Sequence, residues 1–520
     1  MTTTTLRAML MACLLPAIHA QAQLTFQKSI GGSGDDFATV IIATADGGYA
    51  MAGTTGSYGA GGDDMWLIKL DSNGDTLWTR TYGGSDDEYG NCVAQTADGG
   101  YLFMGDSSSF GALGQDIYMV KTDANGAPQW SKLFGAPGTD YAGMAYQSTD
   151  GGYLLLGSST GLGAGVSDAY VIKLDGGGNV AWTKTYGGTL DDDGNSIRPT
   201  SDGGFILVGT TSSFGAGGYD AFVVKASADG AITWSKVYGG AGDEYGFSIE
   251  QLADGGYCVS GTATSGGAGG FDCLLMRLDA SGAVVWAKTY GSTDTDISGS
   301  ALATTDGGYI LLGQSFGFGV ASDLYLVKTD ANGDTLWTSI YGGNGYEFES
   351  IILQTQDGGY LFSAGEESFG PDRNAYLIKT DASGNSGCDQ GSTATQYGPI
   401  TLVTANAAMT VSSGGTTTTA ATITSSGGSV NTICTTAGIA EPGSTAMINV
   451  HPLPFSSLFT LSGTQENGTI VIMDITGKIR CMQRATEGIT EVDARGLAAG
   501  SYLLKYQKGE ESTVIKLVKE

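Results

Sequence analysis

One marker, Asp-Gly-Gly-aromatic, returns seven times at a near-constant spacing. It begins at Asp46, Asp98, Asp150, Asp202, Asp254, Asp306 and Asp357. A fixed period near 50 residues belongs to propellers or solenoids. Composition is the second observation: 86 glycines, 9 prolines and only 15% charged residues in a chain of 520. That balance reads as all-β structure with many tight turns. The third is phase. The repeat opens on a fourth strand (24–30) and closes on a third (375–381), so the N-terminal strand is expected to complete the last blade. Together these predict an all-β seven-bladed β-propeller of four-stranded blades over 23–385. A 386–443 linker and a small C-terminal β-sandwich domain over 444–520 follow.

Residues 1–22 read as a secretory signal peptide: Arg7 in the n-region, an apolar stretch at 8–18, and Ala20-Gln21-Ala22 as the cleavage site. No later stretch is long and apolar enough for a transmembrane span. The route implied passes through the periplasm to a secreted or surface-attached product. Six cysteines follow the leader. Cys258 and Cys273 lie on consecutive expected strands, and Cys388 and Cys434 bracket the linker. Export permits disulfides at both pairs; the other reading is buried thiols.

Blade four shows the repeating unit. Asn195 to Arg198 lead into the turn Ser201-Asp202-Gly203-Gly204. Phe205 to Gly209 and Asp220 to Lys225 follow as strands two and three. A turn at Asp229-Gly230 leads to the fourth strand, Ile232 to Tyr238. Glycines supply the positive φ of the hairpins, and β-branched and aromatic residues fill the runs between them. Two tight hairpins per repeat fit a propeller blade rather than a solenoid coil. The third strand carries a base in every unit (Lys69, Lys121, Lys173, Lys225, Arg277, Lys328, Lys379). The fourth carries an aromatic: Phe26, then Trp78, Trp130, Trp182, Trp234, Trp286 and Trp337. A large indole suits packing between neighbouring blades. The run Lys173-Leu174-Asp175-x-x-Gly178-x-x-x-Trp182 resembles the tryptophan-docking repeat of quinoprotein-type propellers. That resemblance implies a scaffold role for the tryptophans. Cofactor-bearing members of that group usually have eight blades, and no residues here mark a cofactor site.

The net charge of -29 excludes nucleic acid as a partner, because phosphate binding needs clustered Lys and Arg. The only histidines are His19 in the leader and His451 in the tail. Histidine-based catalysis and His-ligated metal are therefore absent from the propeller, and no catalytic residue is assigned. Acidic loops remain. Two connections per blade emerge on one face, and the loops after each Tyr-Gly-Gly carry Asp35 and Asp36, Asp86 and Asp87 with Glu88, Asp140, Asp191 to Asp193, Asp243 with Glu244, Asp294 with Asp296, and Glu347 with Glu349. Asp35, Asp36, Asp86, Asp87, Asp191, Asp192, Asp243 and Asp294 are the candidates for holding Ca²⁺; the other reading is that each carboxylate binds its own turn. Trp66, Asp106, Arg198, Glu366, Glu367 and Arg373 depart from the repeat and could mark a partner site.

The 386–443 stretch, rich in Thr, Ser, Ala and Gly around Thr416–Thr419, reads as a linker. Beyond it stand His451-Pro452-Leu453-Pro454-Phe455, Met473-Asp474-Ile475-Thr476-Gly477-Lys478, Leu497-Ala498-Ala499-Gly500-Ser501-Tyr502 and Lys516-Leu517-Val518-Lys519. These resemble the C-terminal sorting domain of the type IX secretion system of Bacteroidetes, on Pro452, Pro454, Phe455, Asp474, Gly477, Gly500, Tyr502, Lys516 and Lys519. Leu453 replaces the family's usual Asn. The resemblance covers the tail alone and implies recognition by the type IX secretion machinery. The function expected is an exported cell-surface or secreted binding or scaffold propeller for a glycan or protein ligand, and not an enzyme. The alternatives are a carboxylate-dependent polysaccharide-active enzyme on the loop face, or a structural surface-layer component.

Overall fold

The computed structural model describes residues 23–110, 114–370, 372–387, 390–391, 393, 395–400, 402–407, 409–412, 416–419, 423–425, 429–438, 449–451, 458–464, 468–474, 478–486, 488–498, 500–508 and 511–519. The expected signal peptide, Cys388, Pro452, Pro454, Phe455 and Gly477 lie outside them. The chain divides into two compact units, Leu24–Thr436 and a C-terminal unit from Ala437 onward.

The larger unit is a propeller. Its described strands form seven four-stranded antiparallel sheets in chain order, blade 1 running from Asp36 to Gly83. Blade 7 takes three strands from 347–380 and its fourth from Gln23–Gly31, which pairs antiparallel with Asn374–Thr380 in the register Phe26↔Lys379 to Ile30↔Ala375. The first strands lie innermost. Each packs against the next, and the seventh returns to the first. Strands two and three are buried along nearly their whole length, as sheets packed face to face require. On the side of the Asp-Gly-Gly hairpins the first strands leave a cavity of about 250 Å³ on the axis.

Two repeated contacts explain the sequence markers. Within a blade, the third-strand base pairs with the Asp of the Asp-Gly-Gly turn, as Lys121 does with Asp98 at 2.8 Å and Lys225 with Asp202 at 2.9 Å. Between blades, each fourth-strand Trp covers the positive-φ glycine of the next blade's second hairpin: Trp78 on Gly126, Trp130 on Gly178, Trp182 on Gly230, Trp234 on Gly282, Trp286 on Gly333 and Trp337 on Gly384. A side chain at any of these glycines would strike the indole. The Tyr four residues on finishes the joint, as where Tyr82 Oη donates to the Gly126 carbonyl at 2.7 Å.

The segment expected to be a linker is strand. Gln390–Gly391 pairs with the fourth strand of blade 6, and Gln396–Pro399 with that of blade 5. Val403–Asn406 pairs with blade 4, Thr410–Ser412 with blade 3, Thr416–Thr419 with blade 2 and Ile423–Ser425 with blade 1. Ser429–Gly438 then lies beside the N-terminal strand in blade 7. The chain thus runs back round the propeller as a belt, adding a fifth strand to every blade. The physical reason is that each fourth strand would otherwise present a free edge. Edge pairing uses backbone groups alone, so a Thr-rich sequence without apolar alternation serves. Ile400 and Ala407 anchor the belt in the blade cores.

Cys258 and Cys273 are buried free thiols, the second of the two readings the sequence left open. Antiparallel register places Cys258 opposite Arg277 and Cys273 opposite Thr262, at opposite ends of their strands. Cys434 sits in the last belt strand.

The C-terminal unit is a β-sandwich. Asn449–His451, Leu458–Thr464 and Gly488–Asp493 form one sheet; Thr469–Asp474, Ile479–Arg484, Gly500–Lys508 and Glu511–Lys519 pair in the other. Phe459, Leu461, Val492, Ile470, Leu504 and Leu517 share its core. Asp474 and Tyr502 are register partners, Gly500 pairs with Lys519, and Lys516 pairs with Leu503. Tyr502 Oη donates to the Ala498 carbonyl at 2.8 Å. Lys519 is buried, its Nζ donating to the carbonyls of Ala494 and Leu497 at 2.7 and 2.6 Å.

Candidate functional site

The acidic loops converge where expected, on the face opposite the Asp-Gly-Gly hairpins, but most of their carboxylates are turned to the joints between blades. The acid opening each first strand is buried: Asp36, Glu88, Asp140, Asp192, Glu244, Asp296 and Glu347. It accepts the backbone N–H four residues upstream, at 2.6 Å for Gly32 to Asp36 and 2.7 Å for Gly188 to Asp192. A serine of the neighbouring loop adds a second bond, as Ser57 does to Asp36 and Ser213 to Asp192, both at 2.6 Å.

Facing it is an acid that the sequence reading passed over, at the head of the preceding blade's third strand. Asp64 faces Glu88 across Gly83, Asp116 faces Asp140 across Gly135, Asp168 faces Asp192 across Gly187, Asp220 faces Glu244 across Gly239, Asp272 faces Asp296 across Gly291, and Asp323 faces Glu347 across Gly342. Both side chains lean over the second-last residue of the Tyr-Gly-Gly run, where a Cβ would collide with them. At the seventh joint the partner of Asp36 is Asn374, across Gly31. Two buried carboxylates cannot both ionise at low cost. Burial, reinforced by the charge of Glu244, pushes the Asp220 carboxyl up to about 7. Burial raises Asp64, Asp272 and Asp323 to about 6, and raises Glu347, beside Asp323, to about 8. Asp220 Oδ1 and Glu347 Oε2 accept no hydrogen bond among the described residues.

The other acidic candidates lie further out. Asp87 Oδ1 accepts from Asp63 N–H at 3.1 Å, and Asp243 Oδ1 from Tyr219 N–H at 2.9 Å. Asp35 Oδ1 takes Arg373 N–H at 3.3 Å. The Asp191 carbonyl holds Ser212 N–H at 2.8 Å, and Asp86 and Asp294 are exposed. No group of three or more His, Cys, Asp or Glu stands together as a metal site among the described residues.

Of the irregular residues, Asp106 joins blades: it accepts from Asn91 of its own blade at 2.9 Å and from Ala142 N–H of the next at 2.5 Å. Thr54 and Ser158 do the same work in other blades. Glu366 is buried and bonds Ser29 Oγ at 2.6 Å. Arg373 pairs with Glu367 at 3.0 Å and stacks over Phe348 at 4.3 Å. Trp66 is fully buried. Arg198 lies at the axial cavity.

One aromatic cluster on the loop face goes beyond what the repeat supplies in the other blades. Tyr219 and Phe271 precede the third-strand acids of blades 4 and 5, where other blades have Asp63, Gln115, Ser167, Ser322 and Arg373. Tyr245 and Phe247 follow the acid that opens blade 5. The Tyr245 ring lies 5.4 Å from Tyr219, 6.2 Å from Phe247 with the planes 11° apart, and 5.9 Å from Phe271, edge to face. Tyr219 is 38% exposed, and the other three are half-buried. Cations that stack on rings do so elsewhere, such as Arg198 on Tyr146. The signal for this cluster in the sequence is the departure of Tyr219, Phe247 and Phe271 from the repeat, seen when the seven units are stacked.

Residues 449–520 match the family model of the secretion system C-terminal sorting domain. No curated protein matches the chain. Among solved structures, a mutant puromycin hydrolase complexed with PGG is 16% identical over 69% of this chain and 53% of its own, with a TM-score of 0.43. The chain thus spans about half that hydrolase. PorZ, an essential surface component of the type IX secretion system of Porphyromonas gingivalis, is 10% identical over 94% of this chain and 75% of its own (TM-score 0.33). Xylan β-1,4-xylosidase from Bacillus halodurans is 12% identical over 73% and 89% (TM-score 0.23). The expectation that the chain is not an enzyme is corrected by these findings, since hydrolases stand among the structures it resembles; at such identities they assign it no reaction. The tail is a type IX sorting domain, and it implies export to the cell surface or the medium. No helix among the described residues is long and apolar enough to cross a membrane.

Proposed function

We propose that this protein is an exported propeller that binds a neutral glycan on its loop face, at the platform formed by Tyr219, Tyr245, Phe247 and Phe271. The observation that carries the reading is the placement of these rings. They are grouped and partly open to solvent. Tyr219, Phe247 and Phe271 stand where the other blades carry mostly polar residues or glycine, beside Tyr245 at a position that is aromatic in Phe37, Tyr89, Tyr141 and Phe348 as well. Aromatic faces stack on the C–H faces of sugar rings, and the Asp243 carboxylate beside Tyr219 is placed to accept from sugar hydroxyls. The nearby charge is negative, which disfavours an anionic polymer.

Affinity electrophoresis of the full chain through gels of neutral polysaccharides (xylan, mannan, starch, hydroxyethyl cellulose) tests this. At least one polymer is expected to retard the protein. The Tyr219→Ala/Tyr245→Ala double variant is expected to bind it about tenfold or more weakly, since stacked rings contribute about 0.5–1.5 kcal/mol each beyond the area they bury. An unchanged melting temperature confirms that the variant is folded. No retardation by any of the four, or equal retardation of the variant, overturns the proposal. Export makes a separate prediction. Deleting 449–520 is expected to abolish delivery of the propeller to surface and medium, read by fractionation; unchanged delivery would show that another segment directs it.

A further inference from the structure

The axial cavity on the hairpin side breaks the sevenfold pattern in one direction only. The second-last position of six of the first strands, and the matching Arg198 in the one-residue-longer strand of blade 4, form a ring around the axis. In blades 1, 2, 6 and 7 it holds Ile42, Ala94, Leu302 and Leu353. In the adjacent blades 3, 4 and 5 it holds Tyr146, Arg198 and Glu250. The four apolar members show that blade packing asks for no charge here. The ring is therefore amphipathic, with an apolar wall on one side and a phenol, a guanidinium and a carboxylate on the other, and all its members except Ala94 line the cavity.

The Arg198 charge favours the ionised form of Glu250, but the two groups form no direct ion pair. The Arg198 guanidinium stacks on the Tyr146 ring at 4.5 Å and donates to the Ile197 carbonyl at 3.1 Å. Glu250 Oε2 accepts from Ala303 N–H at 3.2 Å. No ion pair joins Arg198 to Glu250 among the described residues, although both face the same cavity. Charges in a confined site are costly unless compensated. A cation and an anion set side by side against an apolar wall call for a ligand carrying both complementary charges at one end and an apolar body at the other. The cavity, about 250 Å³, lies below the ~300–1,000 Å³ usual for drug-sized ligands. Tyr146, Arg198, Glu250, Leu302 and Leu353 are half-buried rather than buried, so the ring is reached from solvent.

We propose that this cavity binds a free α-amino acid with an apolar side chain: carboxylate on Arg198, ammonium on Glu250, side chain against Ile42, Leu302 and Leu353. The site is separate from the loop-face platform and independent of the glycan reading.

Isothermal titration and thermal shift of the full chain with L-leucine, L-phenylalanine, N-acetyl-L-leucine and L-leucinamide test it. Binding of at least one free amino acid with a raised melting temperature is expected, and a loss of tenfold or more for both capped leucines. Arg198→Gln and Glu250→Gln are each expected to abolish binding, while Tyr219→Ala/Tyr245→Ala keeps it. No binding of either free amino acid overturns the proposal, as does equal binding of the capped forms. The capped series on the unaltered protein decides the matter even if the Arg198 or Glu250 variants fail to fold.

Discussion

A chain ended after Asn385 is expected to melt well below one ended after Thr436, and to aggregate on concentration where the longer form stays monodisperse. The two differ by the belt alone. Removing it strips every blade of a fifth strand and leaves seven outer edges of unpaired N–H and C=O groups. Backbone hydrogen bonds contribute about 0.5–1.5 kcal/mol net each. Several are lost per circuit, along with the cover that Ile400 and Ala407 give the cores, so a loss of several kcal/mol is expected. Exposed flat edges also recruit other chains. Scanning calorimetry and light scattering on the two truncations read both effects. Equal melting and equal solubility would mean that the belt adds nothing to the propeller.

The second large effect is on pH. In the joints between blades, the carboxyls of Asp64, Asp220, Asp272, Asp323 and Glu347 sit at about 6 to 8 when folded. Their unfolded values lie near 4. Between these limits the native state binds more protons than the unfolded state, so stability falls as pH rises from about 4 to 8. The Asp-Gly-Gly aspartates act in the opposite sense. Hydrogen bonds from Thr44 and Lys69 hold Asp46 down at about 2, and Asp98 and Asp202 are held there likewise. Their contribution is present above pH 4 and is lost only as pH falls towards 2. Maximum stability is therefore expected near pH 4–5, with a lower melting temperature at pH 8. The Asp36–Asn374 joint indicates the remedy. Asp220→Asn is expected to stabilise the protein at pH 8 by on the order of 1–3 kcal/mol and to change little at pH 4. Asn374→Asp should do the reverse. Melting curves of the three proteins across pH 4–8 give the answer; a flat profile for the unaltered chain would refute the shared-proton account of the joints.

The blade was legible because its requirements repeat. A glycine that must take positive φ beneath an indole, a base reaching its turn aspartate, and a Tyr reaching the next blade each leave the same letter at the same offset. Closure by 24–30 followed from phase alone, and the pairing of Phe26 with Lys379 bears it out. The belt was not legible. Its strands are three or four residues long and pair through backbone, so Thr416–Thr419 shows no alternation to distinguish it from a linker. The loop-face acids were visible as residues, but their partners were not. Asp64 lies 24 positions upstream of Glu88 in a different strand, and only the ring brings them together. Between a bridge and buried thiols at Cys258 and Cys273 the sequence could not choose, because neighbouring strands do not imply neighbouring residues; the hairpin sets the register. The aromatic platform and the Arg198 ring carry the weakest signal, deviations at single positions in two or three of seven copies.

The belt and the borrowed N-terminal strand also set a schedule. Gln23–Gly31 is held between Asn374–Thr380 and Ser429–Gly438, partners some 350 to 400 residues away along the chain. The blades between can form as local meanders, whereas the ring can be sealed only when both ends are present. Contacts so distant in sequence are slow to form, because the entropy of loop closure opposes them until the last strand docks. An emerging chain therefore stays an open, unsealed array until its final fifth appears. Slow folding, with late protection of 23–31 in pulsed hydrogen exchange, is the kinetic counterpart of a ring clasped by its own two ends.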